Sequence, residues 1–213
     1  TPLTVIKGYI ETLLDSYPLH DERLKKTFVQ VRFQTDRMES LLKDLIWLAQ
    51  IESFENEEKS TKVELAEVIK EVSDDLTAAW PNRDIELRLD ESISVHGDYR
   101  ELHSAVSNLM VNALNYGNDS APVRVSWQTQ GASAVMSVED EGDGIETQHL
   151  ARLTERFYRV DHSRNQKTGG TGLGLAIVKH VAMSHDAELK IESEVGRGSR
   201  FQLIFKQPIN VTH

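Results

Sequence analysis

Apolar residues in the first quarter of the chain recur at the spacing of helices that pack in a bundle. One series alternates at intervals of four and three residues, at Leu24, Phe28, Val31, Thr35, Met38, Leu42, Leu45 and Ala49. A shorter series with the same spacing precedes it, at Leu3, Ile6, Ile10 and Leu13, and Pro18 interrupts the pattern between the two. This a/d repeat predicts a helical hairpin over residues 1–54.

The hairpin by itself leaves much of this apolar stripe in water. A second copy of the chain supplies the missing helices most simply, so the pattern predicts a homodimer built around a four-helix bundle. The alternative is a hairpin that folds back onto the second domain of its own chain.

Beyond the hairpin, the periods of helix and strand are mixed. Residues 55–62 are polar and acidic and predict a linker, and residues 63–213 predict a second domain. Within that domain, helical spacing predicts helices over residues 65–80, 99–116 and 173–185. Alternation predicts strands over residues 85–89, 123–129, 134–139, 189–193 and 200–205. The predicted fold class is therefore an α-helical hairpin followed by an α/β sandwich, with helices on one face of a mixed sheet.

Composition narrows the classes of function. A formal net charge of -10 argues against nucleic-acid binding, which needs a basic face, and the absence of cysteine excludes disulfides and thiolate metal sites. No run reaches the ~18 apolar residues that a membrane-spanning helix needs, so we expect a soluble, cytoplasmic chain. Because the chain starts without Met inside a helical pattern, we expect an excerpt from a longer protein, with any membrane anchor outside it.

Four polar and glycine-rich motifs follow one another in the second domain. They are NLMVNALNYG from residue 108, DEGDG from residue 140, GGTGLGLAI from residue 169 and GRGSRF from residue 196. One glycine-rich string is weak evidence, because turns also use glycine, but four in series predict an ATP site. The last motif is interpreted as a tight turn between strands.

The first two motifs carry the most specific chemistry. Asn108 and Asn112 lie one turn apart on a helix, and the amide oxygen of Asn112 suits Mg²⁺, which prefers oxygen ligands. Asp140 ends a strand, and its carboxylate can accept a hydrogen bond from the exocyclic amine of adenine, which guanine lacks at that position. Gly142 and Gly144 would let the backbone approach the base. The alternatives are a polar pair that satisfies backbone groups and a plain acidic turn.

The third motif, GGTGLGLAI, predicts a set of backbone N–H groups that bind phosphates. Gly170, Gly172 and Gly174 precede a predicted helix, whose N-terminus favours anions, although a merely flexible loop is the alternative. Residues 155–170 are charged and rich in turn formers, which predicts a mobile lid. Its cations are candidates for contacting a γ-phosphate, or else belong to a solvated basic loop: Arg159, Arg164 and Lys167.

The motifs resemble the N, G1, F, G2 and G3 boxes of two-component sensor histidine kinases, and the resemblance covers essentially the whole chain. The implied second domain is the Bergerat-type ATP fold, shared with type II topoisomerases, Hsp90 chaperones and mismatch-repair ATPases. The implied cofactors are ATP and Mg²⁺, with Asn112 as the metal ligand. The implied nucleotide-binding residues are Asn108, Asn112, Asn115, Tyr116, Asp140, Gly142, Gly144, Ile145, Thr171, Gly172, Leu173, Gly174 and Leu175. The implied catalytic residues are Asn108, Arg159, Lys167 and Thr1.

The resemblance also implies a reaction and its partners. The γ-phosphate of ATP passes to a histidine and then to an aspartate of a response-regulator receiver domain, in a homodimer formed through the hairpin. The chain departs from the family at Asn115, where many relatives have a basic residue. It also begins at Thr-Pro-Leu, which in the family follows the acceptor histidine, so we expect that histidine to precede Thr1. Thr1 matches the residue that relatives use to remove phosphate from the partner.

Two other functions remain open on the sequence. Hydrolytic ATPases that share the fold place a glutamate where Asn108 stands, because activating water needs a base and an amide is not one. The second alternative is a non-catalytic module that dimerises and senses nucleotide.

Overall fold

A computed structural model describes residues 2–16, 22–53, 61–160, 170–206 and 209–210. The chain divides into two compact units. The first, here called the helical unit, comprises Thr1–Gln50 with Asp161–Thr171, and the second, here called the sandwich unit, comprises Ile51–Val160 with Gly172–His213. Within the described ranges, no helix is long and apolar enough to cross a membrane.

The helical unit contains the two predicted helices. They are α1 (Pro2–Ser16) and α2 (Glu22–Ser53), and each extends a few residues beyond its apolar series. The ammonium group of Lys7 on α1 lies 2.8 Å from the Asp36 carboxylate on α2, which ties the two helices together. The predicted hairpin turn, including Pro18 and His20, falls outside the described residues.

The apolar stripe of the helical unit is only partly covered. Ile10 and Thr35 are buried, but several large side chains of the a/d repeat are more than 40% exposed, namely Leu24, Val31, Met38, Leu42 and Leu45. A contiguous apolar stripe of this kind on a polar surface is typical of an interaction site. The homodimer therefore stays a prediction that the exposure of these side chains supports.

The sandwich unit contains the remaining elements. In chain order they are β1 (Thr61–Val63), α3 (Leu65–Ala79), β2 (Ile85–Leu89), β3 (Ile93–Gly97), α4 (Tyr99–Tyr116), β4 (Val123–Gln130), β5 (Ser133–Asp140), α5 (Thr147–Leu150), α6 (Gly174–Ser184), β6 (Ala187–Glu194), β7 (Gly198–Phe205) and β8 (Ile209–Asn210). The strands form a five-stranded sheet in the order β2-β4-β5-β7-β6 and a small sheet in the order β1-β3-β8. In the large sheet, β2 pairs with β4 in parallel and the other pairs are antiparallel.

Helices cover the large sheet and enclose the core. α4 contacts β4 and β5, α6 contacts β6, and α3 contacts both α4 and β2. Trp127 of β4 is fully buried, donates from its indole nitrogen to the carbonyl oxygen of Ile93 at 3.3 Å and meets Phe205 edge-on. Because the apolar residues of α4 recur at helical spacing and those of β4 alternate, one face of each is buried in this core. The predicted α/β sandwich with a mixed sheet is confirmed.

The helices and strands with the clearest periodicity of apolar residues are the best predicted. α4 and β2 begin and end at the predicted residues, and α6 differs by one residue at each end. The predicted hairpin between β4 and β5 is tighter than expected, because both strands extend until two residues, Gly131 and Ala132, remain between them.

The short elements carried weak sequence patterns, and the strands β1, β3 and β8 and the single turn α5 were not predicted. β3 alternates apolar Ile93 and Val95 with polar Ser94 and His96, but it is only five residues long, and the others are too short for any period. Of the predicted linker, Thr61 and Lys62 lie in β1 and pair with β3, while residues 54–60 are outside the described ranges.

Candidate functional site

Helix α4 carries the asparagine pair on a half-buried edge. Its start is fixed by Asp98, whose carboxylate accepts hydrogen bonds from the backbone nitrogens of Arg100 and Glu101, a strong N-cap. Asn108 and Asn112 follow one turn apart and both are half-buried, as their helical spacing predicts. The two amides are therefore held at fixed positions along one helix.

Asn108 is oriented by its own helix and by the start of α6. Its amide nitrogen donates to the carbonyl oxygen of Ser104 at 2.9 Å, so part of its polar capacity satisfies a backbone group. Its amide oxygen lies only 2.5 Å from the point that a Cβ on Gly174 would occupy. Gly174 thus leaves room for the Asn108 side chain, and the oxygen faces the first turn of α6.

Asp140 ends β5 in a buried position beside the end of α4. It is 8% exposed, and its carboxylate accepts a hydrogen bond from the backbone nitrogen of Gly142 at 2.9 Å. Burial raises the pKa of this carboxyl above its ordinary value, while the backbone N–H groups of Gly142 and Ser199 and the charge of Arg83 act in the opposite direction. The Gly142 bond fixes the carboxylate so that it can also accept from a ligand.

The role of Gly142 differs from the sequence expectation. A Cβ at this position would lie 2.1 Å from the carbonyl oxygen of Tyr116, so the missing side chain makes room for protein backbone and not for a base. This close approach joins the DEGDG loop to the last turn of α4. The predicted turn at Gly196 and Gly198 is confirmed, because β6 ends at Glu194 and β7 begins at Gly198.

Gly172 and Phe157 anchor the two sides of the predicted lid to each other. The backbone nitrogen of Phe157 donates to the carbonyl oxygen of Gly172 at 2.9 Å, and both residues have a positive φ, +63° and +75° respectively. A Cβ on Gly172 would lie 3.0 Å from the backbone of Phe157, so only glycine satisfies both the angle and the space. The central part of the lid, including Arg164 and Lys167, lies outside the described residues.

The other predicted site residues occupy varied environments. Tyr116 is 43% exposed at the end of α4, and Asn115, Arg159 and Leu175 are half-buried. The backbone nitrogen of Ile145 donates to the Ser193 hydroxyl at 2.8 Å, which ties the loop of Gly144 to β6.

Three predicted residues have other roles or lie outside the described chain. Leu173 is fully buried, so only its backbone is available to a ligand. The hydroxyl of Thr171 donates to the Asp44 carboxylate at 2.7 Å within the helical unit. Thr1 is outside the described residues.

The metal-binding side chains that are available limit which metal ion the protein could bind. No group of three or more His, Asp or Glu residues that could hold a metal occurs in the described part of the chain. A half-buried amide such as Asn112 can supply one oxygen ligand, which fits Mg²⁺ because this ion keeps several waters and takes further oxygens from substrate phosphates.

Arg83 is a buried charge that no sequence pattern indicated. It lies between α3 and β2 and is 8% exposed, with one guanidinium nitrogen 2.6 Å from the carbonyl oxygen of Leu114 in the last turn of α4. Its neighbours in sequence, Asn82 and Asp84, are polar and exposed, so no pattern distinguishes it from a surface turn residue.

Two family comparisons match the two units. The family described as "Histidine kinase-, DNA gyrase B-, and HSP90-like ATPase" matches residues 97–209. The "His Kinase A (phospho-acceptor) domain" matches residues 1–54, the range predicted for the hairpin.

Curated relatives extend this likeness over nearly the whole chain. The phosphate regulon sensor protein PhoR of Pseudomonas aeruginosa is 43% identical over 207 residues, covering 96% of this chain and 47% of the relative. PhoR of Haemophilus influenzae is 38% identical, with coverages of 96% and 48%. The sensor-like histidine kinase SenX3 of Mycobacterium tuberculosis is 34% identical, with coverages of 100% and 52%. The chain thus spans about half the length of the curated relatives it matches.

Solved structures share the fold. The full-length ShkA structure in complex with AMPPNP superposes with a TM-score of 0.73 at 21% identity, covering 99% of this chain and 44% of that one. The Acinetobacter baumannii histidine kinase AdeS gives 0.66 at 22% identity, covering 100% and 96%. The mycobacterial sensor histidine kinase MprB gives 0.62 at 26% identity, covering 72% and 99%.

Proposed function

Because the chain belongs to the family of histidine kinase-, DNA gyrase B- and HSP90-like ATPases, and is a sensor histidine kinase catalytic region within it, we propose that the sandwich unit binds Mg·ATP. The whole protein then transfers the γ-phosphate to a histidine, which the resemblance puts before Thr1, and onward to an aspartate of a response regulator. The observation that carries the proposal is the buried Asp140 carboxylate, held by Gly142 at the end of the asparagine helix.

Asp140 selects the base. One carboxylate oxygen accepts the Gly142 N–H, and the carboxylate retains capacity to accept the exocyclic amine of adenine. Guanine would present a carbonyl oxygen instead, leaving two acceptors facing each other in a buried site. The flanking residues implied by the family, Tyr116 and Ile145, complete the base site, with the backbones of Gly142 and Gly144.

The phosphates are assigned to the region between α4 and α6. The backbone N–H groups at the start of α6, from Leu173 to Leu175, favour anions. We assign Asn112 as the single protein ligand of Mg²⁺, and the ion supplies charge neutralisation on the phosphate oxygens when bound. The resemblance also implies Thr171 and Gly172, which precede this helix in the sequence, as nucleotide-binding residues.

Asn108 favours transfer over hydrolysis. Its amide has no basic group, and its nitrogen is already engaged with the carbonyl oxygen of Ser104, so it cannot activate a water molecule. The acceptor histidine would be brought to the γ-phosphate by positioning, and we propose that the cations of Arg159 and Lys167 stabilise the transferring group. Thr1 is proposed to act, with a water molecule, in removing phosphate from the regulator by hydrolysis.

The helical unit supplies the proposed partner surfaces. The exposed a/d side chains of α2 support a homodimer through a four-helix bundle, and α1 exposes Val5, Ile6 and Tyr9 for a receiver domain. The likeness to PhoR supports a role in phosphate-starvation signalling. We place the chain on the cytoplasmic side of a protein anchored in the bacterial inner membrane by other segments.

The expected signature of a kinase is phosphate transfer with negligible hydrolysis. A chain extended upstream through the acceptor histidine, incubated with γ-labelled ATP and Mg²⁺, should acquire acid-labile, alkali-stable phosphate. Asn112→Ala should abolish the label, and steady-state phosphate release should stay below a few turnovers per minute.

Two outcomes would contradict the proposal that the protein is a histidine kinase. Rapid hydrolysis that Asn112→Ala abolishes would identify a hydrolytic ATPase of the same fold. Nucleotide binding without any labelled histidine would identify a nucleotide-sensing module.

Gly172→Ala should weaken binding of a non-hydrolysable ATP analogue by roughly 10-fold. The alanine is strained at a positive φ, costing about 1 kcal/mol, and its methyl group would push Phe157 and the start of α6 apart. Isothermal titration calorimetry measures the affinity. Gly131→Ala is the matched control, because Gly131 has a φ of +63° with nothing within 4 Å of its Cβ position. Equal losses of affinity in both variants would refute a role for this anchor.

A further inference from the structure

Arg83 clamps the end of the asparagine helix from outside the four motifs. One guanidinium nitrogen, Nη1, donates to the carbonyl oxygen of Leu114 at 2.6 Å and to the Asp119 carboxylate at 2.7 Å. A cation at the C-terminal end of a helix is favoured by the unpaired carbonyl groups there. Arg83 thus holds the last turn of α4, which carries Tyr116, and the loop that follows it.

The other side of the guanidinium faces the base-recognising carboxylate. Nη2 of Arg83 and Cβ of Asp140 each lie 3.1 Å from the same point, where a Cβ on Gly117 would stand. Nη2 of Arg83 and Cβ of Asp140 are therefore at most about 6 Å apart, and the charge of Arg83 lowers the pKa of the Asp140 carboxyl. The buried Nε and Nη2 atoms of Arg83 have no hydrogen-bond partner among the described residues.

The partner on the solvent side does not neutralise this charge. The Asp119 side chain is 93% exposed, so water screens its pairing with Arg83 and the pair contributes little. A buried cation is costly unless a nearby group compensates it. Asp140 is 8% exposed and lies on the buried side, which leaves it as the carboxylate best placed to compensate Arg83.

We propose that Arg83 is a positioning residue for base recognition, which keeps Asp140 in its ionised, hydrogen-bond-accepting form and fixes the end of α4 against the DEGDG loop. This inference rests on the proposed binding of adenine nucleotide. An ionised carboxylate accepts a hydrogen bond about twice as strongly as a neutral acceptor, so Arg83 strengthens adenine binding without touching the base.

The charge of Arg83 changes the pKa of Asp140 in a known direction. Burial raises the pKa of Asp140, and Arg83 is the charged side chain that lowers it among the described residues, with the N–H groups of Gly142 and Ser199 acting in the same direction. Removing the charge should raise the pKa of Asp140 further. Adenine affinity, which needs the ionised form, should then begin to fall at a higher pH as the solution is acidified.

The test is the pH profile of ADP binding, measured by calorimetry on the whole chain. Arg83→Met removes the charge at similar length and should shift the acid limb of the profile to higher pH, with a several-fold loss of affinity at neutral pH. Arg83→Lys retains a charge and should restore the position of the acid limb. Arg88→Met, at an exposed position on β2, is the matched control and should leave the profile unchanged.

The possible outcomes distinguish a positioning role of Arg83 from a purely structural one and from a failure of the proposed function. A uniform loss of affinity in Arg83→Met with an unshifted acid limb would overturn the proposal and leave Arg83 a structural clamp. If Arg83→Met does not fold, as circular dichroism would show, Arg83→Lys and Arg83→Gln provide the charged and neutral pair for the same comparison. Failure of the unmodified chain to bind ADP at any pH would instead refute the proposed function.

Discussion

Asp140→Asn is expected to weaken ADP binding by about 100-fold, because the variant exchanges a buried charged acceptor for an amide. The Gly142 N–H would engage the amide oxygen and leave the amide nitrogen, a donor, facing the amine of adenine. Calorimetric titration with ADP at neutral pH measures the loss. Asp143→Asn, an exposed position in the same DEGDG loop, is the matched control and should bind ADP normally.

The same substitution should not reduce stability, which distinguishes recognition from folding. Burial raises the folded-state pKa of Asp140 above its unfolded value. Ionisation therefore costs stability, and the cost appears as pH rises from the unfolded pKa through the folded pKa. At neutral pH the uncharged amide of the variant avoids this cost but no longer compensates the buried charge of Arg83, so these opposed effects should leave the unfolding temperature of Asp140→Asn nearly unchanged. A variant that lost both affinity and stability would indicate a structural role for the carboxylate.

Asn112→Ala is expected to remove the Mg²⁺-dependent part of ATP-analogue binding, a loss of about 10- to 100-fold. The proposed protein contribution to the ion's coordination is one amide oxygen, with the remaining positions left to water and phosphate oxygens. The affinity of the variant in Mg²⁺ should match that of the unmodified chain in EDTA. Titrations of both proteins under both conditions measure this directly.

Two further variants test the assignment of Asn112. Asn112→Asp keeps an oxygen ligand and should retain Mg²⁺-dependent binding. Asn118→Ala is the control, because it removes an exposed amide just beyond the end of α4 and should leave the response to Mg²⁺ unchanged. If Asn112→Ala kept its response to Mg²⁺, the metal ligand would lie elsewhere in the site.

Much of the fold followed from periodicity. α4 begins at the residue after Asp98, a carboxylate N-cap, and carries an apolar stripe of several turns, so both its ends were predictable. β3 was missed although Ile93 and Val95 alternate with Ser94 and His96, because five residues are too few for that alternation to identify a strand. The strand at Thr61 is too short for any period, and its pairing with β3 depends on residues far along the chain.

The candidate site was predictable in its chemistry and less so in its packing. The types and order of residues pointed to Asn112 for a hard cation and Asp140 for an amine, and neither assignment needed coordinates. The reason for Gly142 was not predictable, because the carbonyl oxygen of Tyr116 that fills its Cβ position comes from another element. Leu173 likewise belongs to the core, although it lies within a predicted nucleotide motif.

By itself, the sequence determined the order of the two units, the helices and strands with several periods, and the four motifs whose residue types suit adenine, phosphate and Mg²⁺. Only the tertiary structure decided that Arg83 lies beside Asp140, and that the DEGDG loop closes against the last turn of α4. The physical reason is that propensity and periodicity act between near neighbours in the chain. Burial and electrostatic fields depend instead on which groups the folded chain brings within a few ångströms.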